Sequence, residues 1–421
     1  MKYSIIVDSH NDTMMKCIDE ETWLPKIDIG KSTDNHIDIP KLKKGRLNVP
    51  FFAAFTDGYH DNTPRSISRT LALINALHWT EENNKDEFKI VGSVDDILRT
   101  VDEEKIAAVP TIEGGYSFDE NNALELIKQY YDLGIRAVAF NWNYSNSLGE
   151  GASRIYNDPK ETPSHGGLTD LGKTLVYEMN RLGIIIDVSH MAESTFWDVI
   201  SATKAPIMAS HSGVYALRNH PRNLKDEQLR ALKDNGGVIG IVLCQAFLTD
   251  GTPAYIKDYV DHIDYAVKLI GIDHVGIGSD FDGATIPEDI KDASELYKIN
   301  DELIRRGYSK EYIEKLLGKN ILRVLDQVEK MAEKKRELDI DIVPNINTLT
   351  GKIKGLDGVT IDESKVRIII DGNPYKAIYD KENSTLSLKI TEPLQEKFHV
   401  VSFQVEDDKG NTKRETRIFY I

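Results

Sequence analysis

His10 and Asp12, in the run Val7-Asp8-Ser9-His10-Asn11-Asp12, set an imidazole and a carboxylate two residues apart. Ile5-Ile6-Val7 ahead of them reads as a buried strand, and Asn11-Asp12-Thr13 as the loop leaving it. Residues two apart on an extended chain point the same way, so both side chains aim off one strand end. Such a pair suits a borderline-soft divalent metal, zinc first. The same residues also read as a helix-capping Asp12 beside a hydrogen-bonded polar His10. A His-x-Asp triplet does not decide between these by itself.

The elements that would position further ligands come next. Short β-branched apolar runs fall at Ser4–Asp8, Val49–Phe55, Ile106–Ile112, Ile135–Asn141, Ile184–Ser189, Pro206–Ser210, Gly237–Leu243 and His274–Ser279. Helical patterns lie between most of them: Asn122–Leu133, Asp170–Leu182, Glu193–Ala202, Asp226–Lys233 and Ala254–Ile270. Gly134, Gly183 and Gly271 stand where helix stops are expected. Apolar strands joined by helical crossovers predict a parallel sheet covered on both faces. Eight such units predict an α/β fold, a closed (β/α)8 TIM-type barrel. An open doubly wound sheet is the alternative, but no Gly-x-Gly-x-x-Gly follows the first strand.

In a barrel the chemistry sits at the C-terminal ends of the strands. There the first predicted strand ends in His10 and Asp12, the third in Glu113-Gly114-Gly115, and the fifth in His190. The sixth ends in His211 and the eighth in Asp280. Three of only eleven histidines thus close barrel strands beside three carboxylates. If Glu113 bridges, the set can hold two divalent ions about 3.5–4 Å apart that share and acidify a hydroxide. Glycines after Glu113 let the backbone turn sharply, and Asp280 sits opposite as proton carrier. Two members also have structural readings: Asp187 as an orienting partner of His190, and Asp280 as the start of the turn Asp280-Phe281-Asp282-Gly283.

The chain has 421 residues, 40% hydrophobic and 29% charged, and its 68 acidic against 52 basic residues leave a net charge of −16. That length predicts two domains. The acidic balance argues against nucleic acid or an anionic membrane as the main partner, and no apolar run is long enough to span a bilayer. Met1-Lys2-Tyr3 leads straight into the first strand without a signal-peptide pattern, so the cytoplasm is the expected compartment. Cys17 and Cys244 read as buried thiols rather than a bridge.

A charged helix is expected over Lys310–Asp339, completing a barrel domain of residues 1–340. Pro344 and Asn345 mark a boundary, and 345–421 reads as a small all-β sandwich. Its strands are expected at Val366–Asp371, Tyr375–Asp380, Thr385–Ile390, Phe398–Glu406 and Lys413–Ile421. The run Val405-Glu406-Asp407-Asp408-Lys409-Gly410-Asn411 resembles bacterial immunoglobulin-like modules, which implies an accessory role.

From about residue 4 to 330 the chain resembles the membrane dipeptidase (renal dipeptidase) family of zinc peptidases. The matching segments are Asp8-Ser9-His10-Asn11-Asp12, Ile112-Glu113-Gly114-Gly115, Gly167-Leu168-Thr169 and Asn180-Arg181-Leu182-Gly183. Asp187-Val188-Ser189-His190, Ser210-His211-Ser212, Pro221-Arg222-Asn223-Leu224 and Gly278-Ser279-Asp280-Phe281-Asp282-Gly283 complete the series in order. The resemblance implies a binuclear zinc barrel, usually a homodimer, that hydrolyses dipeptides. It implies one zinc on His10, Asp12 and Glu113, a second on Glu113, His190 and His211, and Asp280 serving the catalytic water and departing amine. Arg222 matches the arginine that holds the dipeptide carboxylate, a task suited to a bidentate guanidinium.

One departure stands out. Mammalian members carry a substrate-contacting histidine just after the fourth strand, where this chain has Trp142 in Ala139-Phe140-Asn141-Trp142-Asn143-Tyr144. Indole only donates, so Trp142 packs a substrate side chain or stacks in the core, and carries no proton. His165 is a candidate substitute. The expected function is a two-zinc metallo-dipeptidase. The alternatives are another binuclear amidohydrolase acting on a lactone, amide or ester, or a non-catalytic binding protein on the same barrel. The absence of lysine from Ala137–Asn146 counts against the amidohydrolases that bridge their metals with a modified lysine.

Overall fold

A computed structural model describes residues 5–57, 63–152, 166–251, 253–332, 339–343, 348–355, 358–391, 394 and 398–420. The expectations for Ser4, His165, Pro344, Asn345, Ile421 and the charged run 333–337 fall outside these residues. The chain divides into two compact units, Met1–Glu333 and Lys334–Ile421.

In the first unit nine parallel strands form one sheet: β1 (Ile6–Asn11), β2 (Leu47–Phe55), β3 (Phe88–Ile90), β4 (Ile106–Glu113), β5 (Ala137–Ala139), β6 (Ile185–Asp187), β7 (Met208–Ser212), β8 (Val238–Val242) and β9 (Val275–Gly278). The order is β2-β1-β9-β8-β7-β6-β5-β4-β3, and pairing of β2 with β4 closes it into a barrel. Eight strands make the ring, as expected. The ninth, β3, extends β4 outside it through Phe88↔Ile106 and Ile90↔Ala108. Three residues around Lys89 are too short a pattern to read as a strand. All eight residues of β4 are buried, as a parallel strand covered on both faces requires.

Helices Asp170–Leu182 and Glu193–Ala202 take their expected bounds. Thr169 caps the first by accepting the Gly172 N–H, and Gly183 ends it at φ 82°. One end of the barrel is plugged. Val7, Val49, Val109, Ile185, Met208 and Val238, all in the early parts of their strands, pack with Ile321, Val324, Leu325 and Val328 of helix Asn320–Met331. The opposite, C-terminal end is left for polar side chains.

The expected helix Lys310–Asp339 is instead Lys310–Glu314, a π-helical turn Lys315–Lys319, and Asn320–Met331. Asp339 belongs to a strand, β10 (Asp339–Val343), whose alternating Asp and Ile residues carry the two-residue period of a sheet.

The second unit also contains β11 (Thr348–Lys354), β12 (Arg367–Ile370), β13 (Asn373–Lys376), β14 (Ile378–Asp380), β15 (Thr385–Lys389), β16 (Phe398–Glu406) and β17 (Thr412–Tyr420). They make two four-stranded antiparallel sheets, β10-β11-β15-β14 and β13-β12-β16-β17. Leu349, Ile353 and Leu386 of one share a core with Ile368, Val401 and Phe403 of the other, so the unit is a β-sandwich. The single strand expected over Tyr375–Asp380 breaks at buried Ala377, and its halves join different sheets. Cys17 and Cys244 are free thiols. Among the described residues no helix is long and apolar enough to cross a membrane.

Candidate metal centre

The unplugged end gathers the six ligand-type residues singled out from the sequence. His10 lies within β1 and Asp12 just past it, while Glu113 is the last residue of β4. His211 lies within β7, His190 three residues past β6, and Asp280 two past β9. The ends of β1 and β9 are tied by Asp280 N–H to His10 O and Asp12 N–H to Phe281 O. All six are buried, the most open being Asp280 at 9%.

Glu113 divides the group. Its Oε2 lies 3.4 Å from His10 Nε2, which is 3.6 Å from Asp12 Oδ2 and 4.0 Å from Asp280 Oδ1. Its Oε1 lies 2.9 Å from His190 Nε2 and 3.3 Å from His211 Nε2. Each oxygen of this one carboxylate therefore faces imidazole nitrogen.

The far sides of the two histidines are held. His190 Nδ1 meets Asn143 Oδ1 at 2.8 Å, so Nδ1 donates and Nε2 keeps its lone pair. His211 Nδ1 lies 2.8 Å from Ser210 Oγ. The Nε2 atoms of His190 and His211 come within 2.9 Å of each other. Among the described residues Asp187 makes no hydrogen bond to His190. It accepts the Ser189 and Ser210 N–H groups and the Ser210 hydroxyl. Asp8 takes the matching place at β9, accepting the Ser279 N–H and hydroxyl, each at 2.6 Å, next to Asp280. His190 at φ 66°, Asp280 at 59° and Asn143 at 58° are left-handed, a backbone cost concentrated at this centre.

These supporting residues were not singled out by sequence reasoning, apart from Asp187. The available signal was an Asp inside a strand and a Ser directly before the ligand on the neighbouring strand: Asp8 with Ser279, Asp187 with Ser210.

Electrostatics sharpen the picture. Burial, then the Asp12 carboxylate, push Glu113 up to about 7. The same two causes raise Asp280 well above the usual carboxylate range. Burial opposes charging His10, but the Glu113 and Asp12 carboxylates outweigh it and raise that imidazole. Burial, with Arg222 and His10 nearby, holds His190 and His211 well below their ordinary value, as neutral ligands. His10 Nε2, Asp12 Oδ1 and Glu113 Oε2 are buried without a hydrogen bond. Orphaned polar atoms and crowded carboxylates in a dry site fit divalent cations. The groups His10–Glu113–His211 and His10–Asp12–Asp280 each bring ligand atoms within 4.8 Å of one another. Mixed imidazole and carboxylate donors suit a borderline first-row divalent metal.

Gly114 makes its turn at φ +90°, the sharp bend expected after Glu113. Gly283 is required for space: a Cβ there would stand 2.1 Å from Asp12 Oδ2 and 2.5 Å from Asp280 Oδ1. Gly283→Ala should therefore lower the activity of this centre on the order of 10²-fold, the cost of an ångström-scale misplacement. The melting temperature should fall little, and parallel activity and thermal melts check the separation.

Arg222 is 3% exposed, donates from Nη2 to His211 O at 3.0 Å, and lies over the Phe247 ring at 5.4 Å. With His190, Tyr215, Asn219 and Lys225 it lines a cavity of about 260 Å³. Trp142 is half-buried, its ring 6.0 Å from that of His190, with Phe55 edge-on at 5.1 Å and Tyr144 at 5.9 Å. All eight site residues taken from the sequence are thus at or beside one centre.

The family model for membrane dipeptidase, peptidase family M19, matches residues 1–338. An uncharacterized dipeptidase of Schizosaccharomyces pombe is 33% identical over 347 residues, 79% of this chain and 82% of that one. Dipeptidase aclJ of Aspergillus oryzae is 33% identical over 306 residues, 70% of this chain and 71% of its own. Among solved structures, a metallopeptidase from Rhodobacter sphaeroides, liganded with a phosphinate mimic of the dipeptide L-Ala-D-Ala, superposes with a TM-score of 0.69 at 27% identity, covering 77% of this chain and 100% of that one. The probable dipeptidase PvdM from Pseudomonas aeruginosa gives 0.67 at 29% identity, covering 72% of this chain and 91% of its own. With the barrel, the ligand cluster and a family match spanning the barrel unit all in hand, the chain belongs to the membrane dipeptidase family, peptidase family M19.

Proposed function

We propose that this protein is a zinc-dependent dipeptidase with two ions in one centre, one held by His10, Asp12 and Glu113 and the other by Glu113, His190 and His211. The observation that carries the proposal is Glu113, whose two oxygens face different histidine sets at 3.4 Å and at 2.9 and 3.3 Å. Bound zinc would polarise the scissile carbonyl and acidify a water to serve as nucleophile.

The chain's own residues supply the rest. Asp280 takes the proton of the attacking water on its carboxylate and passes it to the departing nitrogen. Arg222 binds the free carboxylate of the substrate, favouring dipeptides over longer chains. Trp142, with Phe55 and Tyr144, forms an aromatic wall beside His190 against which a substrate side chain packs. The dipeptide mimic held by the Rhodobacter sphaeroides relative supports this substrate class and places L,D dipeptides in the test set. We read the Lys334–Ile421 sandwich as an immunoglobulin-like accessory domain, since the ligand set lies wholly within the barrel unit.

The test is a panel of L,L and L,D dipeptides, tripeptides, lactones and esters offered to zinc-loaded protein. Dipeptides should be cleaved in preference; turnover of lactones or esters with intact dipeptides would move the assignment to another amidohydrolase. Arg222→Ala should raise KM for dipeptides about 10- to 100-fold, the loss of a hydrogen-bonded charge pair. Bound zinc should stay at the wild-type level, so equal loss of metal and affinity would remove Arg222 from substrate binding.

A further inference from the structure

We infer that Asp187 and Ser210 are positioning residues that fix the proton of His211 on Nδ1 and so leave its Nε2 open as a metal ligand. The functional consequence rests on the metal reading above; the hydrogen-bond argument does not.

Asp187 Oδ1 accepts two backbone donors, Ser189 N–H at 2.9 Å and Ser210 N–H at 3.0 Å, which lock the carboxylate in place. Its Oδ2 lies 2.5 Å from Ser210 Oγ, and among the described residues that hydroxyl is the donor recorded there. Ser210 has one hydroxyl proton, and a carboxylate beside it is an acceptor, so the proton goes to Asp187. Ser210 Oγ then meets His211 Nδ1 at 2.8 Å with only lone pairs to offer, and His211 must donate. Ser189 Oγ accepts the His211 N–H at 3.2 Å, and its own proton can reach Ser210 Oγ at 3.3 Å. Each hydroxyl in the group is then satisfied.

The reverse arrangement fails on the same inventory. If Ser210 donated to His211 Nδ1, Asp187 Oδ2 would lose its donor in a buried site, a costly vacancy. His211 would also carry a hydrogen on Nε2, aimed where His190 Nε2 and Glu113 Oε1 converge at 2.9 and 3.3 Å. On the metal reading, that hydrogen would also occupy the space of a cation.

Two measurements on the full chain decide the matter. In metal-free protein with ¹⁵N-labelled histidine, His211, assigned by loss of its signals in His211→Gln, should show a protonated Nδ1. In competition with a chromophoric chelator, Ser210→Ala should bind zinc about 10- to 100-fold more weakly, as expected for losing a partner that orients a ligand. Ser210→Thr keeps the hydroxyl and should recover affinity to within a few-fold. Asp187→Asn places an amide donor against Ser210 and should move the His211 proton to Nε2. A bare Nδ1 in the wild type, or Ser210→Ala binding zinc like the wild type, would overturn the inference. A wild type that binds no zinc would instead sink the metal reading, while the nitrogen signals still decide the tautomer.

Discussion

Glu113→Gln should empty the centre and lower dipeptide hydrolysis by about 10³-fold or more. A metal used as Lewis acid supplies several kcal/mol of transition-state stabilisation, and each 1.4 kcal/mol is tenfold in rate. Glu113 is the residue whose loss touches both proposed ions, because its Oε2 faces His10 and its Oε1 faces His190 and His211. An amide offers one acceptor and two donors where two acceptors are needed. Zinc counted per chain by elemental analysis should drop along with kcat. Retention of two zinc ions would refute the shared-ligand arrangement.

The same variant carries a pH signature in metal-stripped protein. Burial and Asp12 raise Glu113 from 4.5 to about 7, so the folded state binds the proton more tightly than the unfolded chain does. Stability from this residue is full below about 4.5 and declines as pH rises through about 7. Denaturant midpoints across that window should slope downward in the stripped wild type and less so in Glu113→Gln.

Asp280→Asn should separate proton transfer from metal binding. Removing a positioned acid–base group typically costs 10²–10⁴-fold, and that loss should fall on kcat. Asn tolerates the left-handed backbone, so the φ of 59° at this position is kept. The tie from the Asp280 N–H to His10 O is kept as well. Zinc content should stay near wild type, since in the proposed arrangement both ions rest on the other five residues. The substitution also removes one carboxyl that burial, then Asp12 and Glu113, push upward, so metal-free protein should melt no lower than wild type. A variant that loses zinc and activity together would place Asp280 among the ligands instead.

How far the sequence led depended on the range of the signal. Ligand types at strand ends were legible because apolar runs and helix stops locate those ends to within a residue or two, as at Glu113 and His211. The bounds of Asp170–Leu182 followed from periodicity and the Gly183 stop, and those of Glu193–Ala202 from periodicity. Phe88–Ile90 escaped notice because three residues make no pattern, and Asp339–Val343 because a charged helix seemed to run into it. The Asp8–Ser279 and Asp187–Ser210 pairs join strands 271 and 23 residues apart in sequence, so only the barrel's neighbour relations reveal them. Asp187 shows the limit well: its place before His190 in sequence did not reveal its bond to Ser210 on the neighbouring strand. Trp142 was seen as a departure, but its edge-on contact with Phe55 needed the closed ring of strands.

The most direct test of the central claim is a zinc titration of chelator-stripped protein, with dipeptide hydrolysis read at each addition. The stripped protein should be inactive, and activity should rise with added zinc to a plateau at two equivalents per chain. Full hydrolysis before any zinc is added, or two bound zinc ions with every dipeptide intact, would contradict the account.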